Sequence, residues 1–413
     1  MTAPHSRTVV LLSEQYRPKV GGAVRYVEGL ARGLAQIGCA VKLVVPGSSE
    51  RVRADEMDVG SSPRCGPEVF RLPRRGAFCG QWRRSDRKLF VRSAKSFLSS
   101  HLDRWQPIAV HVAYGHYLYA AVDATEQPTF WTLHNVPPAE SQQWLTYAGR
   151  PWRPVRLVRA GVHAVASGVV NRLRIVRSRY DCVLAVSPYV ASKAAPWTVR
   201  KKLRVVGEGI DTTCCKLDER QEPVERTQAG SPVLSLLTVA GIAPHKGQDV
   251  AIRTAHELRS AGIEFVWNLV GPVRNQEFAD RVRGMVSRYG LEARVRFLGV
   301  VSQQELCGLL QRANLYVHPS REEGFCLAAL EALAHGTRVV GTATGAIAEF
   351  VTDGAGIVVD RARGPAMFHG IVRLLGQPWP EARRRELAHR VRANYSWTAV
   401  ASRLLDVYRE YGS

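Results

Sequence analysis

The sequence predicts an α/β protein made of two doubly wound domains in tandem, each a parallel sheet with helices on both faces. Three observations carry that expectation. Short β-branched runs alternate with amphipathic helical patterns along most of the chain. A polar stretch with two prolines, Leu217 to Pro232, interrupts the alternation near the middle. The chain has 413 residues, too many for one ordinary core, since domains run to roughly 100 to 200 residues each.

Six strands are expected before the break: Thr8 to Leu12, Val41 to Val45, Ile108 to Val112, Thr129 to Leu133, Cys182 to Val186 and Leu203 to Val206. They are nearly continuous apolar runs, as in a sheet covered on both faces. A helix is expected at Val24 to Ile37. One or two more are expected between Arg150 and Arg179, where Val155, Val158, Val162, Val165, Val169, Leu173 and Val176 recur at spacings of three and four. After the break come strands at Val233 to Ala240, Phe265 to Val270, Val295 to Leu298, Leu315 to His318, Arg338 to Val340 and Gly356 to Val359. The helices among them are Gln248 to Ser260, Gln276 to Tyr289, Gln304 to Arg312 and Cys326 to Ala334. Domains of this kind bind ligands at the carboxyl ends of their strands, so a pair is expected to take one substrate on each side of a cleft.

An apolar fraction of 46% and a charged fraction of 23% exclude disorder as the main state. The formal charge is +21, with nine lysines and the remaining cations arginine. Two stretches are densest, Arg71 to Arg92 and Arg150 to Arg179. They read either as solvated helix faces or as a surface that meets anionic headgroups or an anionic substrate. Specific nucleic-acid binding is not expected, because no helix-turn-helix, zinc-finger or aromatic-basic signature accompanies the charge. The apolar run Val9 to Leu12 breaks at Ser13, too short for a signal peptide. No stretch approaches the roughly 18 apolar residues of a membrane span. Eight cysteines without a CxxC pair point to reduced thiols, hence to a cytoplasmic protein, with peripheral contact to the inner face of the membrane left open by the basic stretches.

Several motifs are missing: GxGxxG after the first strand, a Walker loop, HExxH and GxSxG. Nor are any two aspartates separated by one residue, the pair with which a metal-dependent nucleotide-sugar enzyme commonly holds its ion. The expectation is therefore a metal-free site without a cofactor, in which protein groups offset phosphate charge.

The most informative stretch is His318 to Gly336, HPSREEGFCLAALEALAHG. A strand ends near His318, and a helix is expected from about Phe325, with Glu323 at its start and Glu331 eight residues on. At 1.5 Å per residue the two carboxylates lie roughly 12 Å apart, beyond the about 5 to 9.5 Å of paired glycosidase carboxylates. They read either as an ordinary charged helix start with an exposed glutamate, or as acceptors at the two ends of an extended ligand, with helix-start amides offered to its pyrophosphate.

HPSREEGFCLAALEALAHGTRVVGTATGAIAEFV resembles the signature of retaining GT-B glycosyltransferases of the family-4 type, glycosyl transferases group 1. The signature's two glutamates have seven residues between them, as Glu323 and Glu331 do. The resemblance extends over nearly the whole chain. YRPKVGGAVRYVEGLARGLAQIGCAV is similar to the family's glycine loop and first helix, WTLHNV to its histidine segment, VLAVSPYV to a later strand and loop, and GEGID to its NGID. LLTVAGIAPHKG is similar to its phosphate segment and NYSWTAVASRLLDVY to its final helix. The resemblance implies an acceptor domain at 1–210, a nucleotide-sugar domain at 211–393, and a helix within 394–413 that crosses back to the first domain.

It also implies roles. Gly21 and Gly22 would let backbone amides approach the donor phosphate or the acceptor, and His134 would orient the reacting sugar. Lys246, in the segment that contains Gly241, would offset the charge of the departing diphosphate. Glu323 would contact the donor sugar and Glu331 the ribose, while Gly324, Phe325 and Cys326 would give amides to the phosphates. The implied substrates are a nucleoside-diphosphate sugar, UDP before GDP or ADP, and an acceptor that the sequence does not identify. Two positions depart from the family pattern. Ile242 stands where the family has Arg, with His245 and Arg274 as candidate replacements, and Glu208 stands where it has Asn. Ile242 keeps a second reading open, a nucleotide-sugar-binding module with weak or no turnover.

Overall fold

The structure is a computed structural model and describes residues 7–17, 21–47, 66–72, 84–123, 125–135, 180–195, 202–212, 233–352 and 354–412. The basic stretch Arg150 to Arg179, the polar break Leu217 to Pro232 and the loop residues 136–159 lie outside the described residues. The described chain divides into two compact units. One contains the residues up to His134, the stretch that ends at Gly209, and everything from Tyr395 on. The other runs from Ile210 to Asn394.

The first unit holds seven parallel strands: β1 (Thr8–Ser13), β2 (Ala40–Pro46), β3 (Glu68–Leu72), β4 (Ala109–Tyr114), β5 (Thr129–Leu133), β6 (Cys182–Ala185) and β7 (Leu203–Val205), in the order β3-β2-β1-β4-β5-β6-β7. β1, β4, β5 and β6 are almost wholly buried, as their unbroken apolar runs require. The second unit holds six parallel strands: β8 (Leu234–Val239), β9 (Phe265–Val270), β10 (Val295–Gly299), β11 (Leu315–His318), β12 (Arg338–Thr342) and β13 (Gly356–Val359), in the order β10-β9-β8-β11-β12-β13. Both sheets reverse direction of growth beside their first strand, between β1 and β4 and between β8 and β11. A crevice opens at such a reversal, beyond the carboxyl ends of the strands.

β3 is an addition to the expected strands. Its sequence, EVFRL, lies at the sheet edge with only Phe70 and Leu72 buried, so it carries little of the apolar signal of a central strand. The helix that follows, Arg84–Trp105, takes up part of the first basic stretch. It buries Phe90, Ala94, Leu98 and Leu102 and leaves Arg87 and Lys88 exposed.

The last helix, Trp397–Tyr411, belongs to the first unit and lies on helix Gly22–Gln36. The contact is close because two glycines permit it. A Cβ at Gly29 would sit 2.0 Å from Cε2 of Trp397, and one at Gly33 would sit 2.3 Å from the Trp397 carbonyl oxygen. Trp397, Val400, Leu404 and Tyr408 thereby join the core of the first sheet. A polar chain through this core starts at Tyr408, whose hydroxyl lies 2.6 Å from Nδ1 of His111. Nε2 of that ring lies 2.7 Å from Oγ1 of Thr132, itself 3.0 Å from the Tyr26 hydroxyl. Burial, helped by His134 nearby, pushes the His111 pKa down to about 3.

Among the described residues Cys39, Cys182, Cys307 and Cys326 form no disulfide. No described helix is long and apolar enough to cross a membrane.

Candidate active site

In the second unit the segment after β8 and the segment after β11 meet at the strand-order reversal. Gly247, at φ +70°, ends a short 3-10 turn over Pro244–Lys246. A Cβ there would lie 1.9 Å from the Pro319 carbonyl oxygen, so only glycine permits both this backbone conformation and this approach. Arg321 fastens the segments. Its amide donates to the His245 carbonyl at 2.7 Å, and its guanidinium donates to the Pro244 carbonyl and, through two nitrogens at 2.8 Å, to Asp249. Burial alone would raise the Asp249 pKa, but the arginine outweighs it and holds the carboxyl below its ordinary value.

That clamp brings Lys246 and Glu323 together. Nζ of Lys246 donates to Oε1 of Glu323 at 2.7 Å, and the Ser320 hydroxyl donates to the same oxygen at 2.9 Å. Burial would raise the Glu323 pKa, but the ammonium of Lys246 and the ring of His318 more than offset it, so the carboxyl stays ionised far below its usual range. His318 is buried, with Nε2 3.3 Å from Glu323 Oε1, and that nitrogen makes no hydrogen bond. The contact is an ion-pair distance without hydrogen-bond alignment.

The helix expected from about Phe325 begins at Leu327 and runs to Ala334. Gly324, Phe325 and Cys326 precede it, and Cys326 takes a left-handed conformation at φ +85° that costs a side chain of the order of 1–3 kcal/mol. Glu323 is thus in the loop, four residues before the helix, because the chain turns sharply at Cys326. Glu331 is on the helix and half-buried.

The phosphate segment departs from the family as expected, and the surroundings show how. Ile242 is buried, pairs with Val273 and donates its amide to the Pro272 carbonyl, so it is part of the core. Of the two candidate replacement cations, His245 has its pKa pushed down to about 4 by burial and by Lys246, and is uncharged at neutral pH. Arg274 lies beside Gly241, where its Cγ would stand 2.9 Å from an added Cβ, and it is exposed.

In the first unit, His134 follows β5. Its Nδ1 lies 2.8 Å from Glu208 Oε1 and its Nε2 2.9 Å from the Ala113 carbonyl oxygen, and Tyr26 packs edge-on against the ring. Both nitrogens already face oxygen acceptors, so a ligand reaches Nε2 only by displacing Ala113. Glu208 in place of the family's Asn is what supplies the carboxylate. Gly21 caps helix Gly22–Gln36 in an extended conformation, and an added Cβ at Gly21 or Gly22 would meet nothing within 4 Å. The space before both is open, and neither is required by backbone angle.

Comparison with known proteins decides the family. Residues 221–394 match Glycosyl transferases group 1, and residues 20–213 match Glycosyltransferase Family 4. The chain belongs to the family-4 type of GT-B glycosyltransferases. It is 34% identical over 236 residues to the lipopolysaccharide core biosynthesis mannosyltransferase LpcC of Rhizobium leguminosarum bv. viciae, an alignment of 56% of this chain and 64% of that protein. It spans between 37% and 52% of the length of five further curated relatives. Among solved structures, sucrose-phosphate synthase from Thermosynechococcus elongatus superposes with a TM-score of 0.73 at 21% identity over 98% of both chains. Anabaena HepE in complex with UDP-glucose superposes with a TM-score of 0.69 at 15% identity over 98% of this chain and 99% of its own. Both sheets, all-parallel with helices on their faces, thus have the GT-B fold.

Proposed function

We propose that this chain is a retaining glycosyltransferase that moves a sugar from a nucleoside-diphosphate sugar to an acceptor, without a metal ion in the chemical step. The observation that carries the reading is the Lys246–Glu323 pair at the strand-order reversal of the second sheet. It is a cation placed where α/β sheets take phosphates, beside a carboxylate kept ionised and able to accept a sugar hydroxyl.

When the donor binds, its diphosphate competes with Glu323 for the Lys246 ammonium, and Glu323 turns its freed acceptor capacity to the sugar. Charge grows on the diphosphate as the glycosidic bond lengthens, so Lys246 holds the transition state more tightly than the ground state. Arg274 supplies the second cation that the family takes from the position of Ile242. Gly324, Phe325 and Cys326 offer amides to the phosphates, and Glu331 accepts from the ribose. The acceptor's proton passes to the departing phosphate on the same face, so no protein base is required and positioning carries the catalysis. HepE is solved with UDP-glucose, which favours UDP as the donor base, and LpcC is a lipopolysaccharide-core enzyme by name, which keeps a lipid-linked saccharide among the acceptors with small metabolites and polysaccharide.

Lys246→Ala and Glu323→Ala should each lower release of nucleoside diphosphate from the donor by at least about a hundredfold, the scale of a lost transition-state contact. Wild-type rates in both would remove the assignment. The buried Ile242 favours one second reading, a module that binds nucleotide and does not turn over. In that case UDP raises the melting temperature but no UDP is released from UDP-sugar, even slowly into water.

A further inference from the structure

Beside the carboxylate of Glu323 stand two side chains, His318 and Cys326, with no task in sugar transfer. A ring nitrogen of His318, a carboxylate oxygen of Glu323 and Sγ of Cys326 all lie within 4.8 Å of one another. His318 and Cys326 are buried, and His318 Nε2 is a buried nitrogen without a hydrogen-bond partner. A buried polar atom left unmatched is costly, and among the described residues that lack a partner this one stands beside a carboxylate and a thiol. An imidazole, a carboxylate and a thiol converging from one loop are the donor types of zinc.

We propose that His318, Glu323 and Cys326 form a three-ligand site for a zinc-class divalent cation, and that its occupancy blocks the donor site. In tetrahedral zinc sites the ligand atoms stand about 3.3–3.7 Å apart, given bonds of about 2.0–2.3 Å. The His318–Glu323 edge is already 3.3 Å. The thiol, which donates to the Thr344 carbonyl at 3.5 Å, closes the remaining edges by turning about its Cα–Cβ bond and loses its proton as the ion binds. Three protein ligands leave a fourth position for water. Magnesium and calcium require oxygen ligands and are excluded by the nitrogen and sulfur.

The same oxygen of Glu323 that would bind the ion now accepts from Lys246. A dication there takes the place of the ammonium and repels it, so zinc and the Lys246–Glu323 pair exclude each other. Zinc binding itself stands apart from the proposed function; inhibition by zinc rests on that reading.

The test titrates the chelator-treated, reduced full-length protein with Zn²⁺ against a chromophoric chelator and, separately, with Co²⁺. The expected result is a Zn²⁺ site weakened at least tenfold in both Cys326→Ser and His318→Gln, each checked for native circular dichroism, with no response to Mg²⁺. The Co²⁺ form should show a thiolate charge-transfer band that Cys326→Ser lacks. Unchanged Zn²⁺ affinity in both variants, no Zn²⁺ retention, or a Co²⁺ spectrum without that band overturns the site. In a second arm, each protein's donor turnover with Zn²⁺ is compared with its own turnover without it. A drop in the wild type, reversed by chelator and reduced in the variants, supports the block. Zinc that binds through these residues yet leaves turnover unchanged overturns the inhibition and keeps the site. Absence of turnover under every condition sinks the transferase reading instead.

Discussion

His111 makes the first unit sensitive to acid by an amount that can be worked out. The folded pKa, about 3, lies below the ordinary value of 6.5, so the unfolded chain takes up a proton that the folded chain refuses. Stability is fully present above pH 6.5, falls as the pH drops, and stops falling near pH 3. One pKa unit corresponds to about 1.36 kcal/mol, so this one group should remove about 2 kcal/mol between pH 7 and pH 5. His245, with its pKa of about 4, shifts in the same direction, as do other groups, and a variant isolates the first. Urea unfolding of wild type and His111→Gln is measured at both pH values, each protein against itself. The wild type should lose about 2 kcal/mol more than the variant on acidification, although the variant is less stable at pH 7 because Tyr408 and Thr132 lose their shared partner. Equal losses in the two proteins would show that His111 titrates normally and that the buried chain from Tyr408 to Tyr26 carries no such penalty.

Other outcomes follow from the same geometry. Arg274→Ala should raise the donor KM about tenfold, as loss of one charged phosphate contact does, and Arg274→Lys should recover most of it; an unchanged KM in steady-state kinetics would mean that Ile242 has no replacement. Gly33→Ala should cost about 2 kcal/mol or more in denaturant unfolding, because the new methyl meets the Trp397 backbone, which cannot yield. Gly29→Ala meets the Trp397 ring instead, so combining it with Trp397→Ala should cost clearly less than the two single losses added together. Additive losses would remove the steric explanation.

The fold was legible because the central strands are buried on both faces and so read as unbroken apolar runs. β3 escaped notice for the converse reason: EVFRL lies at an edge, half of it faces outward, and it is flanked by Pro67 and Pro73. In the site, the residues of interest could be named from local patterns, but their relations could not. Lys246 and Glu323 are 77 positions apart, and their contact depends on Gly247 meeting Pro319 and on Arg321 reaching Asp249. No periodicity records such a contact. The helix start was misjudged by two residues because a cysteine, not a glycine, takes the left-handed turn at 326. His318, Ser320 and Asp249 carried no local signal. His318 could have been singled out only as a histidine at the end of a buried strand, close in sequence to a cysteine and a glutamate.

The helix Trp397–Tyr411 has a consequence for how the polypeptide comes into being. Its side chains complete the core of the first unit, so the unit whose synthesis starts before the other is finished only after it. Until Trp397, Leu404 and Tyr408 emerge, Val27, Leu30 and Leu34 have an uncovered groove, whereas the stretch from Ile210 to Asn394 already has its own interior. Domains usually consolidate in the order of their synthesis; here the later lobe is free to settle first, and the earlier one remains exposed to chaperones until the helix Trp397–Tyr411 has been made.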